Sequence, residues 1–207
     1  MTPVRVLVVD DSATMRALIR RVLGRDAAIR VVGEAADAQD ARAAIKALDP
    51  DVITLDVEMP AMNGIDFLER IMRLRPTPVV MVSGLTVAGA EATIRALEAG
   101  ALDCVAKPSA AAPHSLDRLP EAVHAAAAAR RGGACAWRPA PDGAAGPVPG
   151  HLGRTGTRLV AMAASTGGVE ALIRVFSRLP PDGPPIAVVQ HMPPLFTASF
   201  AQRLDRL

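Results

Sequence analysis

The chain has 207 residues, of which 50% are hydrophobic, 21% charged and 2% aromatic, and it carries a formal net charge of +2 at pH 7. Those values suit one or two ordinary globular domains. The charge is too small for a nucleic-acid footprint, and so few aromatic side chains leave almost nothing for bases to stack on. Apolar runs are strand-length and none approaches the ~18 residues of a membrane span; the basic and small-residue flanks of a signal peptide are missing from the start. The expectation is a cytoplasmic protein without membrane insertion. Cys104 and Cys135 form no CxxC pair and have too few histidines near them for zinc.

In chain order, the strand candidates are VRVLVV (4–9), IRVVGEA (29–35), VITLD (52–56), VVMVS (79–83) and DCVAK (103–107). Between them lie stretches with apolar residues at helical spacing, such as ATMRALIRRVL and GIDFLERIMRL. Nearly continuous apolar strands fit a parallel sheet buried on both faces, with helices in right-handed crossovers. An alanine-rich helix follows from about Pro120 to Arg131, its proline suited to a first helical turn. Residues 132–157 then hold 7 Gly and 4 Pro without apolar periodicity, as a flexible linker does.

The strand-helix rhythm resumes with RLVAMA (158–163), a helix from about Gly168 to Leu179, IAVVQH (186–191) and a helix inside which the chain is expected to end. Two strands without disulfides or metal do not bury a core of their own. The expected organisation is therefore a first domain over 1–131, a linker over 132–157, and over 158–207 the N-terminal part of a second doubly wound α/β domain.

In an open parallel sheet the functional crevice lies beyond the carboxyl ends of the strands. Asp10 and Asp11 close the first strand, Asp56 the third, Ser83 the fourth and Lys107 the fifth. Three crowded carboxylates repel one another unless a cation sits among them, and a hard divalent ion such as Mg2+ meets that need. A carboxylate can then act as nucleophile toward phosphorus, with Lys107 and the Ser83 hydroxyl binding phosphoryl oxygens. Lysine is scarce here, with two against 21 arginines. Taken singly, each residue reads equally well as a solvated turn residue; it is the set that points to phosphoryl chemistry.

Through VVDDS, LDVEMPAMNG, VMVSG and AKP, residues 4 to about 130 resemble the receiver domain of two-component response regulators. The resemblance implies a five-stranded, flavodoxin-like fold with Asp56 as phospho-acceptor and a histidine kinase as phosphodonor. It implies Mg2+ held by Asp10, Asp11, Asp56 and the backbone carbonyl of Glu58. Ser83 and Lys107 become the switch hydroxyl and the phosphate-binding lysine, and Pro108 follows a cis peptide bond. Cys104 departs from the pattern, standing where the family usually has an aromatic residue.

In AMAASTGGVEAL (161–172) a strand ends on a small-residue turn bearing Ser165, and His191 closes the next strand. If those strands are parallel neighbours, His191 can serve as general base to Ser165, and the N–H groups that follow the serine can stabilise an oxyanion. STGG alone could equally cap a helix or cradle a phosphate, and His191 alone could be an ordinary strand-end residue. Behind a receiver, ASTGG and QHMPPLFTASFAQRLD look like the chemotaxis methylesterase family. That resemblance implies hydrolysis of glutamyl methyl esters on chemoreceptors and deamidation of their glutamines, controlled by phosphorylation of a receiver that covers the esterase site. Ala163 stands where the family has glycine. The family's third triad member, a downstream aspartate, has no counterpart: neither Asp182 nor Asp205 is placed to replace it. The competing expectation is a phospho-accepting switch or phosphate sink with no esterase output.

Overall fold

The computed structural model describes residues 2–59, 62–84, 86–110, 112–131, 159–180 and 182–207. The segment expected to be a linker, 132–157, lies outside the described residues. Ten elements alternate in the first unit: β1 (Val4–Val9), α1 (Ala13–Leu23), β2 (Ile29–Ala35), α2 (Ala38–Leu48), β3 (Val52–Asp56), α3 (Gly64–Leu74), β4 (Val79–Ser83), α4 (Val87–Glu98), β5 (Asp103–Ala106) and α5 (Leu119–Arg131). The sheet runs β2-β1-β3-β4-β5 with every pair parallel. Every residue of β3, β4 and β5 is buried, which is why these strands read as nearly continuous rather than alternating apolar runs.

Helices α2, α3 and α4 cover one face of the sheet, and α1 and α5 the other. Side chains of Ser12, Asp37, Asn63 and Thr86 each accept a first-turn N–H of the helix that follows, caps worth about 1 kcal/mol apiece. They start α1, α2 and α4 three or four residues after their strands end and α3 eight residues after β3, so the strand-end turns stay close over the sheet edge.

The second unit comprises β6 (Val160–Ala164), α6 (Gly168–Phe176), β7 (Ile186–Gln190) and α7 (Pro194–Leu204), with β6 and β7 parallel. Its helices are not left bare, contrary to what two strand-helix units alone suggest. Val169 and Leu172 of α6 and Phe196 and Phe200 of α7 are buried in one core with Ala90, Ile94 and Leu97 of α4. Arg203 of α7 pairs with Glu98 of α4. The apolar faces are satisfied by the neighbouring unit, and small residues at 90, 92 and 96 let α4 be enclosed on two sides. The two-stranded sheet itself stays open, with Val189 and Leu159 69% and 66% exposed.

Several expected boundaries shift. Strand β5 stops at Ala106, so Lys107 follows the strand, and α6 stops at Phe176. The last helix closes at Leu204 with Asp205 as its C-cap, so the chain runs past it. No peptide bond among the described residues is cis. The bond before Pro108 keeps the trans form that X–Pro bonds favour by about 0.5–1 kcal/mol; the Lys107 N–H, 2.7 Å from the Ser83 carbonyl, continues the ladder without a reversal.

Candidate functional site

Register decides which strand ends meet. Val9 pairs with Leu55, Asp56 with Val82 and Ser83 with Ala106, so Asp10, Asp56, Ser83 and Lys107 reach one edge of the sheet. Asp10, Asp56 and Ser83 are buried there, whereas Asp11 is exposed. One carboxylate oxygen from each of Asp10, Asp11 and Asp56 lies within 4.8 Å of the others. Between them, Lys107 Nζ is 2.9 Å from Asp10 Oδ2 and 2.8 Å from Asp56 Oδ2.

Burial is the main reason the Asp56 carboxyl sits above the ordinary carboxylate range; the Asp10 charge adds to it, while Lys107 and the Glu58 N–H, 3.3 Å away, oppose it. For Lys107 burial works against the ammonium, but hydrogen bonds and charge from Asp56 and Asp10 together outweigh it and raise its pKa. The lysine is therefore firmly cationic. One ammonium among three carboxylates leaves a negative surplus in a low-dielectric pocket, which oxygen-seeking Mg2+ is suited to offset. The donor set fits that ion, with exposed Asp11 on the solvent side.

Local sequence holds the pocket in shape. Asp10 Oδ1 accepts the Ser12 N–H at 2.9 Å, and Arg16 donates from Nη1 to the carbonyls of Asp10 (2.8 Å) and Asp11 (3.1 Å). The role of Arg16 escaped the sequence reading, although a cation in the first turn of a helix opposes the dipole and signals another task. Gly64 lies so close to Asp56 that a Cβ there would stand 2.0 Å from the Asp56 carbonyl oxygen. Its N–H donates to the Val57 carbonyl at 2.9 Å, drawing the loop after Asp56 onto α3.

The second set of residues meets at the end of β6 and β7. Ala164 pairs with Gln190, and the His191 N–H donates to the Ala164 carbonyl at 3.0 Å, so Ser165 and His191 leave adjacent strands at the same edge. Gln190 Nε2 ties the two turns together, donating to the carbonyls of Ser165 (2.8 Å) and His191 (3.2 Å). No hydrogen bond joins the Ser165 hydroxyl to the His191 ring, and neither Asp182 nor Asp205 bonds to that ring.

Both Ser165 and His191 are exposed; the first unit does not bury them. It engages their neighbours instead. The Gly167 N–H, in a left-handed turn at φ 75°, donates to the Leu102 carbonyl at 2.8 Å. The Thr166 hydroxyl donates to Asp103 Oδ2 at 2.9 Å. A narrow crevice here is lined by Leu102, Cys104, Ser165, Gly167, His191 and Met192. Cys104 is buried, and burial first, then the Asp103 charge, pushes its thiol far above the usual range. Asp103, Thr166 and Gln190 were missed in the sequence, where an acid opening an apolar strand was the available signal.

Comparison with known proteins bears on both sets. Residues 6–117 match the model of the response regulator receiver domain, and residues 160–207 that of the CheB methylesterase. Protein-glutamate methylesterase/protein-glutamine glutaminase of Agrobacterium fabrum is 55% identical over 203 residues, covering 98% of this chain and 58% of that protein. A counterpart from Caulobacter vibrioides is 55% identical over 211 residues, covering all of this chain and 59% of its own length. The chain thus spans about three-fifths of the relatives it matches. The solved response regulator domain of Thermotoga maritima CheB superimposes with a TM-score of 0.56 at 43% identity, over 61% of this chain and 97% of that one. The receiver domain of NtrX from Brucella abortus gives 0.51 at 31% identity, over 59% and 98%.

Proposed function

This chain belongs to the family of response regulator receiver domains, and on that premise we propose a phosphorylation-controlled regulator joined by residues 132–157 to part of a protein-glutamate methylesterase. The observation that carries the phosphorylation half is Lys107, held between Asp10 and Asp56 in a buried acidic pocket. Asp56 is the acceptor: its carboxylate oxygen attacks the phosphorus of a kinase phosphohistidine, the P–N bond breaks, and the imidazole leaves with the electron pair. Asp10, Asp11, Asp56 and the Glu58 carbonyl would hold Mg2+, which when bound would supply charge neutralisation for the phosphoryl oxygens. Lys107 and Ser83 take those oxygens once the acyl phosphate has formed.

In the esterase half, Ser165 Oγ attacks a glutamyl methyl ester, His191 accepts the hydroxyl proton, methanol departs, and water then releases the carboxylate. A glutamine side chain follows the same course with ammonia leaving. The substrate is a methylated chemoreceptor, and the setting is the cytoplasm. Domain limits are 1–131, 132–157 and 158–207.

The rival reading, a phospho-acceptor without esterase output, is favoured by the unbonded Ser165–His191 pair and by the capture of the Gly167 N–H. Acetyl phosphate with Mg2+ should label the chain but not its Asp56→Asn variant; equal labelling of both removes Asp56 from the role. Methyl ester hydrolysis that survives Ser165→Ala unchanged removes Ser165.

A further inference from the structure

Away from both sites, α2 and α3 carry an unusual pairing of charge and shape. Arg42 and Lys46 lie four residues apart on α2, and Arg70, Arg73 and Leu74 lie three and four apart on α3, so each set stacks on one helix face. The two faces bound a groove of about 730 Å³, into which Arg75 also projects. Its floor is apolar, formed by Ile45, Phe67 and Ile71, and Leu74 stands at its side 69% exposed.

Among the described residues, no carboxylate lines this groove. Arg75 is paired with Asp49 at 2.7 Å, but Arg42, Lys46, Arg70 and Arg73 form no ion pair among the described residues. Asp66 and Glu69, four residues before Arg70 and Arg73 on α3, line a second cleft toward α4 that Arg70 and Arg73 also border, yet no ion pair joins them. Lys46 is one of only two lysines in the chain. The second unit is packed on α4, with α3 between it and the groove, so the groove is open whether or not that unit stays docked.

We infer that the α2–α3 groove is a docking site for an acidic, amphipathic polypeptide segment. Carboxylates of such a segment meet guanidinium forks along both rims, and its apolar side chains cover Leu74 and the floor. A concave channel between two helices suits a rod-shaped polypeptide; a bilayer needs a flat or convex face. Among the described residues lining it, nucleic acid finds no exposed aromatic ring for stacking, since Phe67 is buried. The site depends on neither the phosphoryl nor the esterase chemistry above, so it stands or falls separately from them.

The test uses the full chain and a fluorescent helical peptide of about 16 residues with glutamates on one face and leucines on the other. Arg42→Glu with Arg70→Glu should weaken anisotropy-measured binding by about tenfold or more, as loss and reversal of close charge pairs does. Leu74→Ser should weaken it severalfold without altering charge, and rising salt should weaken it further. A reversal elsewhere, Arg178→Glu with Arg206→Glu, should leave it unchanged. Should the double reversal fail to fold, Lys46→Gln and Arg73→Gln give the same comparison in milder form. Equal binding by the groove variants, equal loss in the Arg178/Arg206 control, or an Arg70-dependent association with phosphatidylglycerol vesicles that replaces peptide binding would each overturn the inference.

Discussion

The Thr166 hydroxyl donates to Asp103 Oδ2 at 2.9 Å, joining the turn after Ser165 to the first residue of β5. Lys107, next to the other end of that four-residue strand, grips Asp56. The acidic pocket and the serine turn are thus attached to opposite ends of one short buried strand. A hydrogen bond to a charged group is worth about 1.5–3 kcal/mol. Thr166→Val should therefore speed amide exchange of residues 166–168 about tenfold or more while leaving exchange in β1 and β3 unchanged. Identical exchange in parent and variant would show that the Leu102 contact to Gly167 suffices alone.

If Asp56 is the acceptor proposed above, replacing it should trade phosphorylation for stability. Asp56→Asn keeps the shape but removes one of three carboxylates crowded within 4.8 Å, and relief of such repulsion commonly yields about 0.5–2 kcal/mol. Without Mg2+ the variant should melt at a higher temperature than the parent, and added Mg2+ should narrow the gap by stabilising the parent more. A lower melting temperature in metal-free buffer would mean that the Lys107 bridge outweighs the repulsion.

Gly64 admits no side chain, since a Cβ would sit 2.0 Å from the Asp56 carbonyl oxygen. Gly64→Ala should cost about 3 kcal/mol and slow phosphorylation, because the clash is with the backbone of Asp56, the proposed acceptor. Urea unfolding alongside acetyl phosphate labelling checks both; a variant as stable and as readily labelled as the parent would contradict the geometry.

Cys104 links the two units. Its thiol is buried and its pKa pushed up, so in a Cys135→Ala background it should resist alkylation at pH 8 until the protein unfolds. Enlarging it to Phe overpacks a core shared with Val169 and Leu172, at a cost of about 1–3 kcal/mol. The expected result is faster exchange in α6 and easier cleavage between the units, with β1 and β3 unaffected.

Asp26 and His124 join the loop after α1 to α5 through a 2.7 Å contact. The His124 hydrogen bond first, and the Ala28 N–H second, hold the Asp26 carboxyl below its usual 3.8. A carboxyl lowered on folding contributes stability above the unfolded value and loses it as pH falls through the folded one. Stability curves of the parent and Asp26→Asn should therefore differ above pH 3.8 and converge in stronger acid. A gap that persists at pH 2 would assign the effect to packing.

Much of this protein is determined locally, and for that reason was legible. Nearly continuous apolar runs at 52–56 and 79–83 required strands buried on both faces, and each began and ended where the structure has it. Parallel strands then oblige their end residues to share an edge, so Asp10, Asp56, Ser83 and Lys107 could be grouped without knowing a single distance. Ser165 and His191 followed by the same rule. Tertiary structure alone decided what those groups touch. That Lys107 bridges two acids, that Arg16 turns back to two carbonyls, and that Asp103 reaches across to Thr166 all depend on side-chain directions set by packing between elements far apart in sequence. The fate of α6 and α7 was likewise hidden: periodicity shows that a helix has an apolar face, but the surface that covers it, here α4, is chosen by shape and small residues on another part of the chain.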